Sequence, residues 1–435
     1  MLIPLKAIQD FPARRRLLAA NSTPPANSRP AARLILSAAL LLPLAPTLPA
    51  QQPLSLADAD LRAQAIFQQS ASTGMVLVVV RNGEVMIKGY GETFPGSGRT
   101  PTANSFIRLC SLSKVFTADL LLKLAADGKV ALDDPLQRYA PRGKRVPRAA
   151  DGSQITLEDL ATHTAGLTRE VSSYPRKTPH FTFPDYAYRW DWLPKQTLSS
   201  TPGTAALYSN VGFDLLGDAL AFASHQSYAQ LLHDRLLQPL NMWDTTLVPS
   251  GEQCARLMQP IKDEGPCTDT QASGASAGVY STPADMVKLL HYLLQSPGAP
   301  AQPSSALAVI LDPQKLKSVQ GLRHAGDPTG IGLAWIQLGD PSTPSAVIEK
   351  TGGGAGFTTY IALNPKRQTG IFLAATWGKG DAQVDLFHEA NNLLAALANV
   401  PPLPPKVRKA PPPRKHHKRR QPASRAHPKP QPMRN

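Results

Sequence analysis

Cysteine is scarce in this chain: 435 residues carry three, at positions 110, 254 and 267. No pair is spaced C-x-x-C and no Cys/His cluster has zinc-finger spacing, so no metal site of that kind is expected. Acidic residues are missing from 401–435, and Asp10 alone stands within 1–50. The formal charge of +15 therefore collects at the ends, +5 in residues 1–50 and +11 in 401–435, leaving −1 for 51–400. That near-neutral middle gives no compositional ground for a basic groove, and no nucleic-acid partner is expected. With 42% hydrophobic residues the chain can bury one large core or two lobes sharing a cleft.

The ends read differently from the middle. Residues 34–45 form an apolar run that follows Arg29 and Arg33. It is too short to cross a bilayer and suits the core of a signal peptide, so 1–50 is read as an N-terminal lead directing export. Cleavage after Ala50 would put Leu48 where a small residue is preferred, and retention as an uncleaved anchor is the alternative. Beyond Val400, eleven prolines in 35 residues surround the basic cluster from Arg414 to Arg420. Such a tail cannot bury a core and is predicted to be disordered. Attachment to an anionic membrane or acidic wall polymer is one role for it, and a solvated terminus without a partner is the other.

Between these ends, 51–400 reads as one domain. The pattern at 56–69 predicts a helix with Ser55 as N-cap and Asp58 in its first turn. Runs at 75–80 and 85–90 around Asn82-Gly83 predict a β-hairpin. Residues 111–126 have helical period and end at Asp127-Gly128, where glycine can take a left-handed cap. Residues 135–300 are rich in helix and loop, with helices near 209–223 and 283–294. Strands are predicted at 331–338, 346–349, 358–363 and 370–376, then a closing helix at 385–398. Strands at both ends with helices between imply an α/β fold: one sheet built from both ends of the domain, carrying a helical insertion.

Three short motifs fall in suggestive places. Ser111-x-x-Lys114 opens a predicted helix, where a separation of three sets both side chains on one face. A serine hydroxyl needs a neighbour to take its proton, and lysine does so when neutral. Tyr208-Ser-Asn210 follows the Pro202-Gly203 turn; a tyrosine near two lysines can act as base or proton shuttle, and the Asn210 amide can hydrogen-bond a substrate carbonyl. Lys350-Thr351-Gly352 is predicted to end the 346–349 strand, where a cation and a hydroxyl can hold a carboxylate and glycine admits a substrate backbone. The N–H groups of Ser111 and Gly353 form a candidate oxyanion hole.

In the order S-x-x-K, Y-x-N, K-T-G, the sequence resembles the serine β-lactamase and penicillin-binding-protein superfamily, in its class C-like branch, over nearly all of 55–398. The stretches around Ile155 to Leu167, Tyr208 to Leu220 and Glu349 to Ile361 are similar to the D-alanyl-D-alanine carboxypeptidase/endopeptidase members. The resemblance implies the β-lactamase/transpeptidase-like fold, an antiparallel sheet flanked by helices with an inserted all-α lobe and the active site in the cleft between. It implies no cofactor, muropeptide substrates, penicillin binding and weak β-lactamase turnover, while the signal-peptide pattern points to the periplasm, with peripheral attachment to the inner membrane through the tail as a further reading. Carried over, Ser111 is the nucleophile, Lys114 and Tyr208 share the proton transfers, Asn210 holds the substrate amide, and Lys350 with Thr351 and Gly352 holds the carboxylate. His163 matches the H-T-x-G-L segment and is read as structural.

Cys254 and Cys267 flank a stretch containing Gly265 and Pro266. A local disulfide and two separate small hydrophobes both fit that spacing; the resemblance favours the disulfide. Cys110 departs from the family pattern, which leads to alanine or glycine before the nucleophile, and is read as a packed thiol. A class C β-lactamase and a family-VIII-like carboxylesterase would share the motifs, and a non-catalytic wall-binding protein is the reading from another class.

Overall fold

The Ser55 hydroxyl accepts the N–H of Asp58 and starts the first helix where the cap signal predicts. This and all that follows are seen in a computed structural model, which describes residues 52–172, 175, 177–262, 265–299 and 306–404. The N-terminal lead read as a signal peptide and most of the basic tail fall outside these residues.

In chain order the helices are α1 (Leu56–Gln69), α2 (Ser113–Ala126), α3 (Leu157–Ala161), α4 (Tyr186–Trp192) and α5 (Asn210–Ser224). They continue with α6 (Tyr228–Leu232), α7 (Gly251–Ala255), α8 (Pro283–Leu293) and α9 (Leu386–Leu397). The strands begin with β1 (Ser72–Arg81), β2 (Glu84–Gly91), β3 (Ile107–Arg108), β4 (Ala206–Leu207), β5 (Tyr280–Ser281) and β6 (Val309–Leu311). Then come β7 (Val319–Gln320), β8 (Pro328–Gly332), β9 (Ile336–Leu338), β10 (Val347–Gly354), β11 (Phe357–Asn364) and β12 (Thr369–Trp377).

Eight strands form one antiparallel sheet in the order β2-β1-β12-β11-β10-β9-β8-β6. The hairpin β1–β2 closes on Asn82 and Gly83, both with positive φ (49° and 86°), as a two-residue type I′ turn requires. β1 then pairs with β12, so the two ends of the domain share the middle of the sheet. β1 is buried on both faces, and its alternation sorts the core: Val76, Val78 and Val80 join the cluster containing α2, α5 and α8, while Met75, Leu77 and Val79 face α1 and α9. Leu403, within the stretch read as tail, packs against this second cluster.

Two sequence expectations need correction. The run at 331–338 is two strands, β8 and β9, joined by a turn in which Ala334 has φ 65°. The lysine-threonine-glycine motif does not end its strand: β10 runs on to Gly354, paired with β11 through Gly353↔Thr358.

Candidate active site

Four elements converge at the mouth of the sheet. A 3₁₀ turn at Cys110–Leu112 leads into α2, and Cys110 carries it in with φ 53°. Gly352 of β10 lies against this turn: a Cβ there would meet Thr359 Oγ1 at 2.2 Å and the Leu109 carbonyl at 2.8 Å. Glycine is therefore required for the strand to pass behind the serine. Gly353 next door is open, with nothing nearer to a would-be Cβ than the Phe357 carbonyl at 3.9 Å. The β10–β11 hairpin turns on two residues, so alternation directs the Gly353 N–H away from β11. β9 pairs with β10 only through Val347 to Glu349, which leaves the stretch from Thr351 to Gly353 unpaired on that side within the sheet.

Lys114 is completely buried on the first turn of α2. Its Nζ lies 3.5 Å from Ser111 Oγ, 2.6 Å from Asn210 Oδ1 and 2.7 Å from the Ser276 carbonyl. Burial pushes its pKa down, with Asp214 and Glu170 opposing. A neutral amine has two N–H groups, and the two short contacts use both; its lone pair is then left facing Ser111.

Three basic side chains lie close to the Tyr208 ring. Lys114 Nζ stands 4.8 Å and Lys350 Nζ 5.0 Å from its ring centroid, with the Arg169 guanidinium also at 5.0 Å. Lys350 is buried on β10, and burial lowers its pKa too. His163 stacks on Tyr208 with centroids 4.4 Å apart and accepts the Ser209 N–H at Nδ1 at 3.1 Å. Burial holds its pKa well below the ordinary value, so the ring is neutral and positions the tyrosine, matching its structural reading. Ser209 in turn caps α5, which fixes where Asn210 begins.

The packed-thiol reading of Cys110 fits the geometry. Its Sγ contacts the Gly354 carbonyl at 3.3 Å, and burial pushes the thiol up to about 12. Cys254 and Cys267 are joined as a disulfide. Arg108 of β3 donates to the adjoining carbonyls of Gly265 and Pro266 at 2.9 and 2.8 Å. Among the described residues no cluster of histidine, cysteine and carboxylate groups has the makings of a metal site.

The beta-lactamase family profile matches residues 60–396. The chain belongs to this family. The D-alanyl-D-alanine-carboxypeptidase/endopeptidase AmpH of Escherichia coli (strain K12) is 38% identical over 358 residues, covering 82% of this chain and 93% of that protein. A beta-lactamase/D-alanine carboxypeptidase from Yersinia pestis, solved with citrate, is 37% identical with a TM-score of 0.75, covering 79% of this chain and 99% of that one. A class C beta-lactamase from Rhodobacter sphaeroides gives a TM-score of 0.60 at 22% identity, over 78% of this chain and 97% of that one, and speaks for the fold alone. The fold is thus the β-lactamase/transpeptidase-like one that the motif order implied.

Three residues around the motifs of this beta-lactamase-family site were missed in the sequence. Glu170 accepts a hydrogen bond from Asn210 Nδ2, so the Asn210 amide is held at both ends. Ser276 presents its carbonyl to Lys114, and Asp214 holds Ser276. Only Asp214 left a faint signal: it stands one turn after Asn210, on a face of α5 that also carries Asp218.

Proposed function

We propose that the chain is a serine DD-peptidase that removes terminal D-alanine from peptidoglycan peptides and cleaves their cross-links through an acyl-enzyme at Ser111. The observation carrying this reading is the convergence of Ser111 and Asn210 on Lys114, with Lys114 and Lys350 both close to the Tyr208 ring. Likeness to two carboxypeptidases over most of both chains supports the substrate class.

In this reading neutral Lys114 takes the Ser111 proton while Oγ attacks the carbonyl carbon of the scissile D-alanyl bond. The developing oxyanion is held by the N–H groups of Ser111 and Gly353. Lys350, Thr351 and Gly352 hold the substrate carboxylate, and Asn210 its amide. Proton return through Tyr208 to the departing amine breaks the C–N bond and leaves an ester on Ser111. Water, giving its proton back along the same route, hydrolyses that ester.

β-Lactams acylate the same serine, with turnover set by how fast water reaches the ester. A class C β-lactamase differs from a DD-peptidase in that last rate, and both readings use these residues. Export to the periplasm is proposed from the apolar run at 34–45, supported by the Cys254–Cys267 disulfide, which suits an oxidising compartment. The basic tail is proposed to hold the protein on an anionic membrane or wall polymer. Among the described residues no helix is long and apolar enough to cross a membrane.

The test is incubation of the protein with a D-alanyl-D-alanine pentapeptide and with cross-linked muropeptides, followed by mass analysis. Release of D-alanine and of monomers, both abolished in Ser111→Ala, is the expected result. Rapid steady cephalosporin hydrolysis without either product would move the assignment to β-lactamase.

A further inference from the structure

Asp214 is a buried carboxylate that the scheme above leaves unused. It lies on α5, one turn after Asn210, with 3% of its surface exposed. Among the described residues no basic side chain pairs with it directly. Both its oxygens go instead to one residue: Oδ1 accepts the Ser276 N–H at 3.1 Å and Oδ2 accepts the Ser276 hydroxyl at 3.1 Å. Ser276 passes the constraint on, since its carbonyl takes Lys114 Nζ at 2.7 Å. Holding Ser276 at its N–H and hydroxyl anchors its Cα, and the next peptide, whose Ala277 N–H donates to the Ser273 carbonyl at 2.9 Å, sets the direction of the carbonyl that receives the amine.

Two cations act on Asp214: Arg189, the stronger, and Lys114, the one at the active site. Lys114 approaches from α2, Arg189 from α4, Tyr228 from α6, and Asp218 shares α5 with it. Arg189 is already bound through two nitrogens to the two carboxylate oxygens of Asp218, at 2.6 and 2.5 Å. Tyr228 is bonded to Thr117 at 2.7 Å, and Thr117 also fixes the neighbouring Ala275 carbonyl at 2.7 Å. Burial raises the Asp214 pKa and lowers that of Lys114, and each opposes the shift of the other. On the far side of the lysine, Glu170 and Arg169 act with opposite signs.

We propose that Asp214 is a positioning residue for acylation: it fixes Ser276 so that the serine carbonyl aims the Lys114 amine at Ser111, and its charge sets the pH at which that amine becomes free to take a proton. The inference rests on the reading of Lys114 as proton acceptor. Loss of the negative charge makes the protonated lysine harder to sustain, so the amine is neutral at lower pH.

Two variants and one readout test this. The second-order rate of Ser111 labelling by a fluorescent penicillin is measured from pH 5 to pH 9 in wild type, Asp214→Asn and Ser276→Ala. Asp214→Asn keeps the side-chain shape; its acid limb is expected to move down by roughly one pH unit. Ser276→Ala removes only the hydroxyl donor to Oδ2, weakens the carboxylate form, and moves the limb the same way by less, which serves where the first variant folds poorly. A residue of purely structural value would lower the rate and leave the limb where it was. An unmoved limb in a well-folded variant, with labelling still dependent on Ser111, overturns the inference alone. Labelling that persists in Ser111→Ala overturns the nucleophile reading and this inference together.

Discussion

The hydroxyl of Thr359 donates to the carbonyl of Leu109 at 2.8 Å, tying β11, the fourth strand counted from the β2 edge, directly to the turn that presents Ser111. Gly352, paired across from Thr359, lies between them. A methyl group there has no room, because its nearest contacts, Thr359 Oγ1 and the Leu109 carbonyl, are parts of that same tie. Gly352→Ala is expected to cost about 1–3 kcal/mol of stability through overpacking. It should also slow penicillin acylation by more than tenfold as the serine turn is pushed from β10. Urea unfolding and labelling kinetics measure both, and a variant with wild-type values on each would show that the strand yields freely.

Glu349 provides a pH test of stability. It is buried beside Lys350, its Oε2 has no hydrogen-bond partner among the described residues, and burial raises its pKa, with Lys350 opposing. A carboxyl with a folded-state pKa above its unfolded value near ~4.3 binds more protons folded than unfolded between the two. The stability it contributes is complete at low pH and is lost as pH rises toward the folded value. Glu349→Gln removes that dependence and leaves the other titrating groups in place. Melting temperatures of the two proteins should therefore diverge from about pH 5 to about pH 8, the variant gaining. A constant difference across that range would mean that Glu349 titrates alike in both states.

The motifs were legible because each sits where local chemistry fixes the backbone: a helix entry at Ser111, a serine cap before Asn210, an Asn-Gly turn in the hairpin. The periodicity of β1 and the cap at Ser55 likewise act within a few residues. Long-range partners left no such mark. Glu170, Asp214 and Ser276 reach the site through contacts between residues 40, 62 and 162 positions apart. The 331–338 run was misread because its turn uses Ala334 at φ 65°, a residue with no turn preference. The strand at 346–349 was expected to end at Lys350-Thr351-Gly352, yet the glycines prolong β10, since only glycine lets the strand pass so close to the serine turn.

The disulfide is expected to matter in two ways. Cys254 and Cys267 are 13 positions apart, a loop length for which closure contributes about 3 kcal/mol. The double variant Cys254→Ser with Cys267→Ser should lose about 2–3 kcal/mol in urea unfolding. Arg108 is held by the carbonyls of Gly265 and Pro266 and precedes the serine turn, so acylation should slow as well. Unchanged stability would place the constraint on the loop elsewhere.

Cys110 is the remaining thiol, and its geometry makes two claims that one sample can check. A side chain in left-handed backbone costs about 1–2 kcal/mol relative to glycine, so Cys110→Gly exchanges that strain for the lost packing and should shift stability by about 1 kcal/mol or less. Cys110→Val places a β-branched residue at the same φ and should be destabilising by more than that. The thiol itself is buried, bonded to the Gly354 carbonyl and pushed up to about 12, so almost none is thiolate at pH 8. Iodoacetamide should leave the native protein unlabelled at this pH and modify one cysteine once urea unfolds it. Labelling of the folded protein at the rate of a free thiol would show that the turn beside Ser111 opens, and the oxyanion pair formed by Ser111 and Gly353 would then lose the fixed spacing that the proposed chemistry needs.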